Sequence, residues 1–128
     1  MSSSDRYEYR SAEPETDALF GIITGTGAAS PSMDSALGNG FTVTWISTGL
    51  YEIAFAVGTR RAVATGKPGF WATTITDVDG WDVIFGVFNE STRKLRFSVV
   101  NEARTLSDLP AATGLHLSFN VKKTTQRG

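Results

Sequence analysis

The chain contains no cysteine and only one histidine among its 128 residues. The absence of cysteine excludes disulfides and thiolate metal sites, and a single imidazole cannot build a histidine cage for zinc. A serine triad would have to use His116, yet the sequence lacks the Gly-x-Ser-x-Gly turn that presents such a nucleophile. No strand-turn-helix nucleotide motif is present either. The sequence therefore predicts a protein that is not an enzyme and that has no metal or other cofactor.

The chain also lacks an excess of charge and a long apolar run. Its formal net charge is -1, whereas a nucleic-acid binder needs surplus lysine and arginine to neutralise phosphates. No segment approaches the roughly 20 apolar residues of a membrane-spanning helix, and the first residues lack the apolar core of a secretory signal peptide. We therefore expect no nucleic-acid partner, no membrane partner and synthesis in a cytoplasm.

What the chain does contain is a series of short segments in which every second residue is large and apolar, at residues 41–46, 50–57, 81–88, 94–99 and 115–121. This alternation is typical of β-strands with one buried face. Turn residues delimit further short segments at 19–24, 62–65 and 70–76, and the strand at 94–99 continues to Val100. About seven or eight such strands, with no helical periodicity, predict an all-β antiparallel sandwich of jelly-roll or Ig-like type over residues 19–122.

Strand alternation also predicts which side chains fill the core. The inward set is Phe41, Val43, Trp45, Tyr51, Ile53, Phe55, Val83, Phe85, Val87, Leu95, Phe97, Val99, Leu117, Phe119 and Val121. We expect Trp71 and Trp81 to be buried as well, because a small sandwich needs large side chains. If either tryptophan is exposed beside polar groups, it provides a platform on which a sugar ring stacks. His116 lies between two leucines, so alternation places it on the surface.

Two polar tails of opposite charge flank the predicted sandwich. Residues 1–18 contain five acidic and two basic side chains, whereas the last seven residues contain three basic and no acidic ones. We assign residues 1–18 to an N-terminal arm and residues 123–128 to a C-terminal tail. Both are either frayed ends or arms that reach a neighbouring subunit. In the second case Tyr7 and Tyr9 are the anchors, since aromatic residues dominate interface energetics.

Two internal features are further candidates for partner contacts. Residues 25–40 form a long loop rich in glycine and serine, and a loop of this length is usually functional or held against a partner. Arg60 and Arg61 form a basic pair between two predicted strands. We therefore include both arginines, with the two tyrosines of the arm, in the predicted partner-binding set.

One acidic segment resembles a cation site only in composition. Asp77, Asp79 and Asp82 could supply oxygen ligands to Ca²⁺, which prefers several carboxylates close together. Their spacing does not match an EF-hand loop, because no distant glutamate or flanking helix accompanies them. An acidic β-turn is the simpler interpretation, and we predict no metal site.

The hairpin core at residues 47–55, Ser-Thr-Gly-Leu-Tyr-Glu-Ile-Ala-Phe, resembles a hairpin found in small β-sandwich virion proteins of tailed bacteriophages. Residues 97–101 and 117–121 are similar to later strands of the same proteins. The resemblance implies a structural role without catalytic residues. Capsid decoration (cement) proteins and tail or fibre domains of this type are commonly trimeric and bind other virion proteins.

Two functional hypotheses follow from the resemblance and the surface pattern. The first is a capsid decoration protein, a homotrimer made in the host cytoplasm and located in the virion, which binds the major capsid protein or other virion proteins. The alternative is a carbohydrate- or receptor-binding module of a tail or fibre. An exposed Trp71 or Trp81 favours the alternative, and arms that become ordered in an assembly favour the first.

Overall fold

The computed structural model describes residues 16–33, 40–65, 68–72 and 78–123. These residues form nine strands in two antiparallel sheets and contain no helix, so none of them belongs to a helix that could cross a membrane. The strands are β1 (Thr16–Thr24), β2 (Ser32–Met33), β3 (Phe41–Ser47), β4 (Leu50–Phe55), β5 (Thr59–Ala64), β6 (Gly69–Trp71), β7 (Asp82–Phe85), β8 (Lys94–Val100) and β9 (Gly114–Lys123). The predicted all-β antiparallel sandwich is thereby confirmed.

The ten-residue strand β9 organises the first sheet. This sheet has the order β2-β1-β9-β5, and β6 also pairs with β9, so β5 and β6 lie end to end along one edge of β9. On its other edge, β9 pairs with the whole of β1, from Thr16 opposite Lys122 to Thr24 opposite Gly114. The second sheet has the order β3-β4-β8-β7. One strand therefore fixes the register of most of the first sheet.

The β3–β4 hairpin forms as the alternating sequence predicts. Phe41 lies opposite Phe55, and Trp45 lies opposite Tyr51, so their side chains share the inward face. Thr48 and Gly49 separate the two strands. A glycine is suited to this turn because its φ is 70°, in the left-handed region where other side chains are strained.

The two sheets are joined through a layer of aromatic rings around Phe119. This fully buried side chain of β9 makes edge contacts with three rings of the second sheet, at centroid distances of 5.4 Å to Phe41, 5.3 Å to Phe55 and 5.8 Å to Phe85. Edge-to-face packing of this kind adds to the stability gained by burial. Phe119 is therefore the central contact between the sheets.

Most of the predicted inward set lies in the core. The buried members are Phe41, Val43, Tyr51, Ile53, Phe55, Val83, Leu95, Phe97, Val99, Leu117, Phe119 and Val121. Trp45 and Phe85 are partly buried and pack against this core. Among the described residues, five further apolar side chains are buried that were not in the predicted set: Ile23, Ala62, Val100, Leu109 and Leu115.

The predicted burial of Val87 is wrong, because its side chain is 90% exposed. β7 ends at Phe85, and the next paired residue is Asn89, opposite Lys94. Phe85 lies opposite Phe97, and Asn89 lies opposite Lys94. Asn89 is four positions after Phe85, whereas Lys94 is only three positions before Phe97, so this side of the hairpin contains one extra residue, as in a β-bulge. The extra residue reverses the alternation. Phe88 therefore takes the inward position and packs edge-on against Phe55 at 5.7 Å.

Several strand boundaries differ from the sequence prediction. β1 begins at Thr16, inside the segment assigned to the arm, and β9 extends to Lys123. β5 begins at Thr59 rather than at residue 62, because a register shift between Thr59 and Arg61 keeps this basic segment in the sheet. The predicted strand at 70–76 is described only as far as residue 72, since residues 73–77 lie outside the described part. Within the predicted loop 25–40, β2 pairs with the end of β1.

The connection between β8 and β9 is fastened to the β3–β4 hairpin by hydrogen bonds. Trp45 Nε1 and the Gly49 amide both donate to Asp108 Oδ1, at 2.7 and 2.8 Å. The amide of Leu109 donates to the Tyr51 hydroxyl oxygen at 2.7 Å, in a buried position. These bonds seat the Leu109 side chain in the core. Burial of Tyr51 raises the pKa of its phenol, and the nearby Asp108 carboxylate acts in the same direction against the Leu109 hydrogen bond.

Replacement of Phe97 tests the assigned register. Phe97 is fully buried and stacks on Tyr51 at 5.2 Å, so Phe97→Ala should lower the free energy of unfolding by about 3–5 kcal/mol. Phe85→Ala should cost less because that ring is only partly buried. Val87→Ala, the control, should change stability by less than about 0.5 kcal/mol in denaturant titrations. A loss at Val87 as large as that at Phe97 would contradict the extra residue after β7.

Replacement of Tyr51 tests the buried hydrogen bond. At neutral pH, Tyr51→Phe should lower the free energy of unfolding by about 1–3 kcal/mol, because the buried Leu109 amide loses its acceptor.

The same variant provides a pH signature. The folded state holds the phenol proton more tightly than the unfolded chain, whose tyrosine pKa is about 10. Stability should therefore decline as the pH rises above about 10, and the decline should be smaller in Tyr51→Phe. The free energy of unfolding is measured by denaturant titration between pH 9 and 11. An equal decline with pH in the unaltered chain and in Tyr51→Phe would show that ionisation of this phenol does not affect stability.

Candidate interaction surfaces

Both tails leave the domain at the same end of the first sheet. Thr16, where β1 begins, pairs with Lys122, near the end of β9. Lys122 also pairs with Arg61, and Thr59 pairs with Lys123. We call this part of the molecule, defined by the start of β1, the end of β9 and the start of β5, the tail end.

The two predicted partner-binding arginines lie at the tail end, and both are exposed. Arg60 Nε is 3.8 Å from Glu90 Oε2, and both side chains are more than half exposed, so this ion pair is weak. The structure thus places Arg60 and Arg61 where the oppositely charged tails emerge. The predicted anchors Tyr7 and Tyr9 lie outside the described residues.

Two nearly fully exposed valines also lie near the tail end. Val57, in the β4–β5 turn, is 84% exposed, and Val87, beside the β7–β8 hairpin, is 90% exposed. Sequence reasoning missed this surface because it placed Val87 in the core and assigned Val57 to a strand. The unusual exposure of two valines near two arginines and both tails marks the tail end as a candidate interaction surface.

A groove opens from the tail end between the two sheets. β5 and β7 are edge strands of opposite sheets, each paired on one side only among the described strands. The groove between them is lined on the β5 side by Arg60, Arg61, Ala62, Val63 and Ala64, and on the other side by Phe85, Gly86, Val87, Phe88, Glu90 and Leu95. Unpaired strand edges are positions where an extended chain can add to a sheet.

Trp71 forms a second exposed feature, near the opposite end of β9. It lies directly opposite Gly114, and a Cβ atom at Gly114 would fall within the space of the indole ring. The glycine therefore allows the ring to lie against the backbone of β9, while 42% of the tryptophan stays exposed. The expected burial of Trp71 is wrong. A short edge strand, three residues long, leaves this ring covered on one side only.

The other tryptophan is not an exposed platform. Trp81 is partly buried, packs against the core and makes an edge contact with Phe70 at 6.4 Å. The expectation of burial is therefore met in part for this residue.

The outer face of the first sheet near Trp71 carries both polar and aromatic side chains. Alternate residues of β9 point outward, since their neighbours on the strand are buried, and His116 is exposed there as predicted. Ser118 Oγ lies 2.7 Å from Thr65 Oγ1 in a hydrogen bond. Phe20, opposite Ser118, is an exposed aromatic side chain on the same face. The face thus combines hydroxyl, imidazole and aromatic groups.

The acidic segment is engaged in local contacts. Asp82 Oδ1 accepts a hydrogen bond from the Val83 amide at 2.8 Å, and Asp82 Oδ2 lies 3.7 Å from Arg104 Nη1. Asp77 lies outside the described residues. Within the described ranges, no group of three or more histidine or acidic side chains is arranged to hold a metal ion.

Comparison with known proteins adds no relative: no family model, no curated protein and no solved structure matches this chain.

Proposed function

We propose that the chain is a non-enzymatic structural protein of a phage particle, a capsid decoration protein that binds the capsid surface and further copies of itself through its tail end. The observation that carries the proposal is the convergence of both tails, Arg60, Arg61 and two exposed valines on one end of the sandwich. The virion setting is carried by the strand resemblance described above.

The composition of the tail end suits attachment to a protein surface. Exposed valines supply apolar area, which drives association when it is removed from water. Exposed arginines are enriched at interfaces because their planar groups pair with carboxylates and carbonyls. The acidic N-terminal and basic C-terminal tails add charge complementarity, which selects the neighbour that each tail meets. Attachment through the tail end leaves the opposite end of the sandwich, near Trp71, facing away from the capsid.

Capsid attachment is the direct test of the proposal. The full chain is expected to be a trimer by size-exclusion chromatography with light scattering, and to co-sediment with capsids assembled without it. Arg60→Glu combined with Arg61→Glu should weaken capsid binding by about tenfold or more, because both charges at the tail end are reversed. Arg96→Glu combined with Arg104→Glu is the matched control, since it makes the same change of net charge at two exposed arginines outside the tail end.

The outcomes separate the proposal from its alternatives. Equal losses from the tail-end and control variants would show that net charge, not the tail end, governs binding. A monomer that stays in the supernatant with every capsid preparation would contradict the decoration role.

A second candidate function is favoured by the exposure of Trp71. An indole ring resting on Gly114, beside hydroxyl and imidazole groups on the same sheet face, suits a sugar, which offers a C–H face for stacking and hydroxyls for hydrogen bonds. In this view the chain is a carbohydrate-binding module. The two candidates use opposite ends of the body and are tested separately.

Glycan binding measured by array and by titration calorimetry tests the second candidate. Trp71→Ala should abolish binding, and Trp71→Phe should retain part of it, because a smaller ring still stacks. Ile84→Ala is the control, since Ile84 is an exposed apolar residue of the other sheet. Absence of any glycan ligand for the intact chain would eliminate this candidate.

A further inference from the structure

We propose that the N-terminal segment of a second copy of this chain adds as an extra strand to the free edge of β5, the edge that no described strand pairs with, and fills the groove beside it. The proposal rests on the self-association in the proposed function and names the surfaces that produce it. The occupant is residues 1–15, with Tyr7 and Tyr9 directed into the groove.

The groove exists because β5 contributes only small side chains to the inner layer. Its inward residues are Ala62 and Ala64, whereas β9 beside it contributes Phe119 and Val121 to the core. Across the groove lie the larger side chains of Phe85 and of its neighbours in the lining. Native cores alternate large and small side chains so that layers interlock. Two alanines in succession along the inner face therefore leave space that large side chains from an added strand would fill.

The free edge of β5 offers backbone groups for such a strand. The Thr65 amide donates to the Ser118 carbonyl oxygen at 3.0 Å, so the backbone at this position faces β9. Because hydrogen-bonded positions alternate along an antiparallel pair, the backbone groups of Ala62 and Ala64 face away from β9. These groups are the donors and acceptors that an extended peptide uses in strand addition.

The N-terminal segment has the pattern of a strand that lacks a sheet. In Asp5-Arg6-Tyr7-Glu8-Tyr9-Arg10, the two tyrosines are two residues apart and share one face, while Arg6, Glu8 and Arg10 share the other. Tyrosine is also enriched in strands. If Tyr7 and Tyr9 point into the groove, these large side chains lie next to the small side chains of Ala62 and Ala64 on β5. Cross-strand neighbours of this kind stabilise a strand pair.

Charge and length favour the same docking. Residues 1–15 contain four acidic and two basic side chains, and the groove begins at Arg60 and Arg61. Fifteen extended residues reach at most about 50 Å, whereas the six residues of β5 span about 20 Å. The segment is therefore long enough to leave its own body and run beside the β5 strand of a neighbour.

The donor is a neighbouring copy because the route within one chain is crowded. The segment joins its own body at Thr16, two strands away from the free edge of β5. The end of β9, opposite Thr59, lies between Thr16 and the free edge of β5. The β4–β5 turn at residues 56–58 crosses from one sheet to the other in the same region, so the segment would have to pass both to reach its own β5. A neighbour's segment enters from the open side of the groove. Head-to-tail exchange of this kind gives a trimer where the rotation between neighbouring copies closes after three subunits.

Complementation between two full-length variants tests the exchange. Tyr7→Ser combined with Tyr9→Ser damages the segment and leaves the groove intact. Val87→Glu damages the groove lining and leaves the segment intact. Each variant alone should associate about tenfold or more weakly than the unaltered chain in sedimentation velocity, since interface anchors of this size carry much of the binding. Ile84→Glu is the matched control and should associate normally, because Ile84 is an exposed apolar residue that lies outside both the groove lining and the tail end.

Mixing the two damaged variants decides between neighbour and self. If the segment docks on another copy, the segment of Val87→Glu occupies the groove of the tyrosine variant, and a heterodimer should appear when one variant carries a fluorophore. Within that complex, the Ala62 and Ala64 amides should exchange more slowly with solvent. No heterodimer, or association of the tyrosine variant at the unaltered strength, would overturn the proposal. Circular dichroism confirms that each variant is folded.

The readouts also separate this inference from the proposed function. A chain that associates through the segment but does not co-sediment with capsids contradicts the decoration role alone. If the chain co-sediments with capsids but the tyrosine variant and Val87→Glu self-associate as strongly as the unaltered chain, the strand exchange alone is contradicted.

Discussion

The contact on which the rest of the structure depends is the seating of Phe119 among three aromatic rings of the opposite sheet. Phe119 lies on β9, and β9 pairs with β1, β5 and β6 in the first sheet. The Phe119 ring therefore holds this central strand of the first sheet against the second sheet. Loss of this contact would release the core and the shared register together. The tail end is a consequence of the same strand, because β9 places Lys122 between Thr16 and Arg61.

Strand alternation predicts the sandwich because a strand with one buried face must repeat every two residues. Tyr51, Phe97 and Phe119 are inward for that reason, as predicted. The rule fails where one extra residue enters after Phe85, since Val87 and Phe88 then exchange faces and no local signal marks the insertion. It also misses Leu109, whose burial depends on a hydrogen bond to Tyr51, 58 positions away in sequence.

The candidate sites were predicted to a smaller extent. Sequence identified Arg60 and Arg61 as a basic pair, but their position between both tails depends on the pairing of β5 with β9, which involves strands distant in sequence. The exposure of Trp71 depends on Gly114, its partner across the sheet. The groove depends on Ala62 and Ala64 meeting an open edge. In each case the deciding neighbour comes from another strand, and single-strand patterns do not identify it.

In the proposed function, copies of this chain meet through the tail end. Amine cross-linking of the associated protein, with isotope-labelled and unlabelled copies mixed to mark links between molecules, measures this directly. Intermolecular links should be concentrated at Lys122, at the end of β9, and at Lys94, which pairs with Ala54 near the end of β4. An absence of intermolecular links at these two lysines would contradict a contact through the tail end.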